Sequence, residues 1–448
     1  MPRRIAIVGA NAAGIDAASA ARKTDRKAEI VLVTRESYPA YSRCGLPYVL
    51  AGEIPRFEDL IVFPPSYYRM MRLDLRTETD VKTVDPREKT LQLEARDGDA
   101  ETLKYDSLIL ATGAYPFVPP IKGVDKKGVF SLRTIDDGKM VGEAMKDART
   151  AVVVGAGFIG LEMAHAFVES DIKTTVVELL PYVLPAVLDK DMANLVQRGL
   201  EERGIRVITG RGVEEVTGGD HVEGALVAGE EIEADILMMA VGVRPNTELA
   251  RQLGAEVGVT RGIKVNPRMM TTVPDIYAAG DCVESYNMLT GQPTMSQLGT
   301  TAVRQAKVAG INAAGGYAVF PGVLSSAVTR IFGFEVGATG FNEFWAQRAG
   351  FKTVSGSVSS TTKAHYFPGG EEIRVKVVAE PAFGRVIGCQ IVGGEGVTQR
   401  VNVVSVAIQK QMTVWELAKA DTCYAPPVNE TWEVVALAAE TAAMRLRR

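Results

Sequence analysis

The apolar positions of this chain fall first into short unbroken runs, each closed by a glycine-containing turn and followed by helical spacing. Residues 5–8 are such a run, and Gly9-Ala-Asn-Ala-Ala-Gly14 follows it. The spacing predicts a helix to about Arg22 and a second strand over 30–33. A strand covered on both faces reads as a continuous apolar run, so both strands are expected inside a parallel sheet. The order recurs with a strand over 150–154, a glycine turn, an amphipathic helix and a strand over 173–177. Runs at 105–111 and 235–241 each end in a small-residue turn, and Pro116, Pro119 and Pro120 mark a crossover between units. Beyond about residue 325 the pattern alternates, over 372–378 and 385–392, with helical stretches at 397–411 and 430–445. That predicts an antiparallel sheet with helices packed on it.

The second glycine turn, Gly155-Ala-Gly157-Phe-Ile-Gly160, opens a helix directly after a strand. Glycines at this spacing permit a tight turn, close approach of a pyrophosphate and close helix–strand packing, while the helix N-terminus offers free N–H groups. Glu178 ends the next strand, where a carboxylate can accept hydrogen bonds from both ribose hydroxyls and repel a 2′-phosphate. This favours NADH over NADPH. The first turn is less regular, with Asn11 at the middle glycine position and Glu36 slightly late for the same ribose role. Either Glu36 holds that ribose, or Thr34 and the main chain do.

Length changes the picture modestly. A chain of 448 residues exceeds one core, so two or three domains are expected. With 46% hydrophobic and 23% charged residues the balance is that of a soluble globular protein, and a net charge of −4 disfavours nucleic-acid binding. No apolar run is long enough for a bilayer and the N-terminus lacks signal-peptide character, so no membrane partner is expected. Cys44, Cys282, Cys389 and Cys423 show neither metal-ligand spacing nor a disulfide pattern, which reads as cytoplasmic.

Cys44 stands apart from the other three. It lies in Ser42-Arg-Cys-Gly-Leu-Pro-Tyr48, and proline is favoured in a helix's first turn. A thiol at a helix N-terminus has its thiolate stabilised. The second thiol of a Cys-x4-Cys pair would fall at position 49, which is Val49. Cys282 and Cys389 sit in apolar contexts and are expected in the core; Cys423 is a spare thiol or, the favoured expectation, core filling. No histidine follows His365, so Tyr366 and Tyr424 are the candidate proton donors near the C-terminus, or else packing residues.

Together these motifs resemble the pyridine nucleotide-disulfide oxidoreductase family, flavoproteins with two dinucleotide-binding domains, and within it the single-cysteine branch. That branch includes coenzyme A disulfide reductases, NAD(P)H polysulfide or persulfide reductases, and NADH oxidases and peroxidases. The resemblance rests on Cys44-Gly-Leu-Pro-Tyr48, Ala111-Thr-Gly113, Gly155–Gly160 with Glu162, Ile276-Tyr-Ala-Ala-Gly-Asp281, Tyr366-Phe-Pro-Gly and Tyr424-Ala-Pro-Pro. It implies an α/β fold with two Rossmann-like domains and a C-terminal α+β dimerisation domain. An FAD domain would be split over 1–112 and 245–324, an NAD(H) domain would span 113–244, and the dimerisation domain 325–448.

The same resemblance implies FAD contacts at Gly9, Ala12, Ala13, Gly14, Glu36, Arg43, Val81, Ala111, Thr112, Gly113, Arg133, Gly280, Asp281, Leu298 and Ala302. It implies nicotinamide-nucleotide contacts at Gly155, Gly157, Phe158, Ile159, Gly160, Glu162, Glu178 and Gly242. Cys44 would be the redox sulfur facing the flavin, and Tyr366 and Tyr424 would reach the site of a partner subunit, hence a homodimer. Arg22 and Lys23 could hold coenzyme A phosphates, although a solvated basic helix end is the commoner explanation. Oxidases and peroxidases of the branch carry a histidine where this chain has Ala12, which favours a thiol substrate. Coenzyme A reductases usually carry a serine where this chain has Ala40, which weakens the case for coenzyme A itself. The expected activity is reduction of coenzyme A disulfide, a persulfide, a polysulfide or a similar small thiol compound. The alternatives are an NADH oxidase or peroxidase cycling Cys44 through sulfenic acid, and a flavoprotein electron carrier or NADH-responsive binding protein.

Overall fold

A computed structural model describes residues 2–446. The first apolar runs form a five-stranded parallel sheet in the order Ile276–Ala278, Ser107–Leu110, Arg4–Val8, Glu29–Val33, Leu73–Arg76. Its strands other than the edge strand Leu73–Arg76 are buried almost without interruption, as an apolar run covered on both faces requires. Helix Ala12–Thr24 covers one face and packs against helix Gly299–Ala313. The two approach so closely that a Cβ on Gly310 would lie 2.2 Å from the carbonyl oxygen of Ala17.

The second sheet repeats the plan, with parallel strands in the order Arg206–Thr209, Lys173–Glu178, Thr150–Val154, Ile236–Met239, Val129–Phe130. Each parallel sheet is accompanied by a small antiparallel three-stranded sheet, over Thr79–Asp85, Thr90–Ala95 and Ala100–Lys104 in one case and Val213–Thr217, Gly224–Val227 and Glu230–Glu233 in the other. Where the chain crosses between the two sheets, outgoing Ala114–Pro116 pairs antiparallel with returning Val243–Pro245.

The third sheet is antiparallel throughout, in the order Ala327–Ile331, Phe334–Gly340, Val386–Gly393, Glu372–Ala379, Val354–Thr361. Helices Val397–Gln409 and Val434–Leu446 pack on it. The last helix begins four residues later than the expected 430, because the Glu433 side chain accepts the Val435 N–H in capping fashion while also pairing with Arg400. This sheet is tied to the second one by Lys376. Its ammonium lies 3.0 Å from Asp189, 2.9 Å from Asp191 and 2.6 Å from Glu343, and Asp189 also accepts from Gln390.

Candidate active site

The first glycine turn is shaped by steric necessity. Gly9 has φ +106°, and a Cβ there would lie 2.2 Å from the Ala111 carbonyl oxygen; on Gly14 it would lie 1.7 Å from the Gly9 carbonyl oxygen. Asn11, at the middle position, caps the following helix, its Oδ1 accepting from the Ala12 N–H at 2.7 Å.

The turn forms one wall of a cleft of about 1020 Å³. Gly9, Ala12, Ala13, Glu36, Arg43, Cys44, Val81, Ala111, Thr112, Gly113, Arg133, Gly280, Asp281 and Ala302 all line it, whereas Gly14 and Leu298 lie outside the lining. Most of the expected flavin contacts are thus brought to one place, although Gly9 and Ala302, the first and last of them, lie 293 residues apart. Glu36 is fixed there by Arg43 at 2.6 Å and by the Tyr41 hydroxyl at 2.7 Å. Arg133 pairs with Asp281 at 2.7 Å. Thr112 donates its hydroxyl to the Asn246 carbonyl at 2.6 Å, joining the cleft to the crossover.

Two donors in this wall, Asn11 Nδ2 and Arg133 Nε, are buried without a protein partner. Buried polar atoms are nearly always paired, so orphaned donors beside a glycine turn and a helix N-terminus point to an acceptor-rich ligand. A cleft of this size, walled by the glycine turn and lined by Glu36 and Asp281, fits a flavin dinucleotide.

Cys44 lies in the 3-10 turn Arg43–Gly45 ahead of helix Leu46–Leu50, with Pro47 in the first turn as expected. It is exposed to the cleft, and no other cysteine lines it. Burial pushes its thiol up, the charges of Glu162 and Asp281 push the same way, and Arg133 opposes them. The expected thiolate stabilisation is therefore corrected as far as the chain's own groups are concerned. The helix behind Cys44 is only five residues long, and the negative charges of Glu162 and Asp281 disfavour a thiolate.

Around the second glycine turn, Gly155 has φ +103° and its Cβ would lie 2.6 Å from the Ala240 carbonyl oxygen, while one on Gly160 would lie 2.0 Å from the Gly155 carbonyl oxygen. A Cβ on Gly157 would meet nothing within 4 Å. No protein atom requires glycine at 157, so the open space lies on the side from which a ligand approaches. Gly242 needs glycine for its φ of +104° rather than for space. Glu178 is buried and its two oxygens accept the Ala156 and Leu180 N–H groups at 2.8 Å each, which anchors the turn and leaves further lone pairs on the carboxylate. Phe158, Ile159 and Glu162 follow on the first turns of helix Phe158–Glu169. Glu162 accepts the Thr329 hydroxyl at 2.5 Å, and burial pushes its carboxyl up to about 7 against that bond.

The remaining expectations are met unevenly. The Tyr366 and Tyr424 hydroxyls lie 2.7 Å apart on the exposed face of the C-terminal sheet domain and do not line the cleft of their own chain. Arg22 and Lys23 do not line it either. The Arg22 guanidinium donates to the carbonyls of Met71, Asp25, Arg26, Ala28 and Arg72, which closes the helix end and leaves it little capacity for a phosphate. Cys282 and Cys389 are buried as expected, but Cys423 is exposed and not core filling, because residues 420–428 run irregularly over the surface. Sequence reasoning gave no role to Tyr41, Tyr48 or Thr329. Tyr48 carried a signal, one helical turn after Cys44; Thr329 carried none.

The family model described as pyridine nucleotide-disulphide oxidoreductase matches residues 3–310, and that of the corresponding dimerisation domain matches residues 326–436. An NADH oxidase of Methanocaldococcus jannaschii is 45% identical over 446 residues, which covers 99% of each chain. An NAD(P)H sulfur oxidoreductase (CoA-dependent) of Pyrococcus abyssi is 34% identical over 435 residues, 96% of each. Among solved structures, the NAD-dependent persulfide reductase of A. fulgidus is similar with a TM-score of 0.96 at 38% identity, covering 99% of this chain and 83% of that one.

Proposed function

Because this chain belongs to the pyridine nucleotide-disulphide oxidoreductase family, and is thereby an FAD-dependent NAD(P)H oxidoreductase, we propose that it reduces a small disulfide, persulfide or polysulfide through Cys44 alone. The observation that carries this reading is that Cys44 lines the glycine-walled cleft with no second cysteine beside it. A lone thiol completes a disulfide cycle only when the substrate supplies the other sulfur. Likeness to a CoA-dependent sulfur oxidoreductase and to a persulfide reductase supports the same substrate class, with coenzyme A as one candidate thiol.

In this reading the Cys44 thiolate attacks one sulfur of the substrate. A mixed disulfide forms, the substrate S–S bond breaks, and the departing thiolate takes up a proton. FAD and the nicotinamide, when bound, supply the electron pair that reopens the mixed disulfide and releases the second thiol. Arg133 and Asp281, with Asn11 and the glycine turn, would hold the flavin dinucleotide along the cleft. Gly155, Gly157 and Gly160 would hold the nicotinamide nucleotide, with Glu178 at its ribose and a preference for NADH. Tyr366 and Tyr424 would protonate the leaving thiolate from the partner subunit of a homodimer. Half-exposed Val403 and Val406, with exposed Trp432, provide apolar surface on the C-terminal domain for that contact.

A second reading is favoured by the likeness to an NADH oxidase: Cys44 cycles through sulfenic acid with oxygen or peroxide as acceptor. NADH turnover by the purified holoenzyme with coenzyme A disulfide, a persulfide and a polysulfide, against air or peroxide alone, separates the two. The sulfur substrates are expected to be used faster. Cys44→Ser is expected to keep its flavin spectrum and lose sulfur-dependent turnover; survival of that turnover refutes the thiol mechanism.

A further inference from the structure

The two nucleotide-binding units share one register, and it puts their acids in different places. Val8 pairs with Val33 in the first unit and Val154 with Val177 in the second. The glycine that follows each first strand, Gly9 or Gly155, donates its N–H to the carbonyl of Val33 or Val177 at 2.8 Å. The counterpart of Glu178 in the first unit is therefore Thr34, and Glu36 lies two residues past it. Thr34 is buried and lines the cleft. Its Oγ1 accepts the Glu36 N–H at 3.3 Å, which leaves the hydroxyl proton to donate to a ligand.

Glu36 is engaged at both carboxylate oxygens. Oε1 accepts from Arg43 Nη2 at 2.6 Å, and Oε2 accepts from the hydroxyl of buried Tyr41 at 2.7 Å. The Arg43 guanidinium also lies over the Tyr41 ring, 5.0 Å from its centroid. Its other arm, Nη1, donates to the Arg133 carbonyl at 2.6 Å, and the Arg133 side chain pairs with Asp281 at 2.7 Å. Arg43 is thus held by a carboxylate, a carbonyl and a ring face, and a planar guanidinium held this way has a fixed orientation. Arg43 opens the 3-10 turn Arg43–Gly45, whose middle residue is Cys44. Glu36, Tyr41, Arg43 and Cys44 all line the same cleft.

We propose that Glu36, the acid expected at the flavin's ribose, is instead a positioning residue for the redox turn: with Tyr41 it orients Arg43, Arg43 fixes the backbone that presents the Cys44 thiol, and the ribose falls to Thr34. Glu36 acts through Arg43 and exchanges neither a proton nor an electron. A reacting atom displaced by about 1 Å through a change away from the chemistry can lose about a hundredfold in rate. The loss is confined to the step that runs through the sulfur, because transfer from the nicotinamide to the flavin does not involve it. This rests on the proposed role of Cys44 as the reactive thiol and deepens it, by naming what holds that thiol in place.

The test compares two acceptors on the purified holoenzyme at saturating FAD and NADH. One is coenzyme A disulfide or inorganic polysulfide, whichever the wild type uses faster, which needs Cys44. The other is ferricyanide, a one-electron oxidant that takes electrons from the reduced flavin directly. Glu36→Ala is expected to lower the ratio of sulfur to ferricyanide turnover, in kcat, by roughly tenfold or more. Its dissociation constant for FAD, from fluorescence on reloading the flavin-free protein, is expected to stay within about threefold of the wild type. Arg43→Lys cannot hold the Glu36 carboxylate and the Arg133 carbonyl as a fork does, and should lower the ratio too. Glu36→Gln keeps an oxygen for Arg43 and should recover most of it. A ribose ligand would show as weaker FAD binding with the ratio unchanged, and a general loosening would lower both turnovers together; either result overturns the inference. Should Glu36→Ala not fold, a wild-type ratio in Arg43→Lys overturns it as well. Cys44→Ser, run alongside, separates the two readings. If it keeps the wild-type ratio, the thiol reading itself fails; if it abolishes sulfur turnover while the Glu36 and Arg43 variants match the wild type, only the positioning role fails.

Discussion

Replacing Lys376 by methionine tests how the C-terminal sheet is fastened to the nucleotide-binding sheet. The ammonium is almost fully buried and faces three carboxylates at 2.6 to 3.0 Å. At an effective dielectric of about 20, each contact amounts to about 6 kcal/mol before desolvation. Desolvation offsets most of that, and removing one partner of a buried pair typically costs about 3–5 kcal/mol because the other charge is left behind. Asp191 is half in solvent and contributes little. Asp189 keeps the Gln390 amide and the Glu343 N–H as donors, at 2.7 and 3.0 Å. The expected loss for Lys376→Met is therefore at the low end, about 3 kcal/mol. Urea unfolding of the holoenzyme followed by tryptophan fluorescence measures it. The deficit should shrink as the pH is lowered into the carboxylate range, since protonation removes the unpaired charge. A loss under about 1 kcal/mol, the value of a solvated surface pair, or one equal at pH 8 and pH 4.5, would refute the latch.

Two other perturbations have expected outcomes. Gly160→Ala places a methyl group 2.0 Å from the Gly155 carbonyl oxygen, so the turn must shift; we expect at least tenfold weaker NADH binding by titration of fluorescence, with flavin content unchanged, about 1.4 kcal/mol or more. Glu162, held at about 7 in the folded chain against a usual 4.5, contributes stability that is fully present below about pH 4.5 and is lost as the pH rises through 7. Relative to Glu162→Gln, the wild type should therefore lose up to about 3 kcal/mol between pH 5 and pH 8.5, read from paired urea titrations; parallel curves would exclude a desolvated carboxylate.

Much of the framework was legible because backbone constraints leave a local mark. Gly14 and Gly160 are required by carbonyl oxygens of their own turns, Gly9 and Gly155 by positive φ and the carbonyl oxygens of Ala111 and Ala240, and the resulting spacing after an apolar run is visible in the sequence. Asn11 looked like a departure from that spacing, yet its side chain caps the helix, so the irregularity has a local cause. The polar strands Thr79–Asp85 and Glu230–Glu233 went unread, since half-exposed alternation in short strands looks much like a loop. Exposure of Cys423 was missed because core filling is the usual fate of a free cysteine, whereas the irregular segment around Tyr424 lies on the surface.

What links distant segments was not legible at all. Thr329 meets Glu162 across 167 residues and Lys376 meets Asp191 across 185, and neither threonine nor lysine is unusual in its own stretch. The five carbonyls gathered by Arg22 belong to two separate loops, so its basic neighbourhood resembled a phosphate site in one dimension and is a structural clasp in three.

The first parallel sheet takes its outer strand, Ile276–Ala278, from beyond the whole second sheet. A ribosome making this protein from its amino end releases Arg4–Val8 early, but the matching edge emerges only after Ile236–Met239 has completed the inner module. The inner module can therefore fold first, while the outer one waits with an unpaired border that invites wrong partners. Asp281 arrives with that late strand, so the nascent polypeptide cannot present the full cleft until synthesis has passed it.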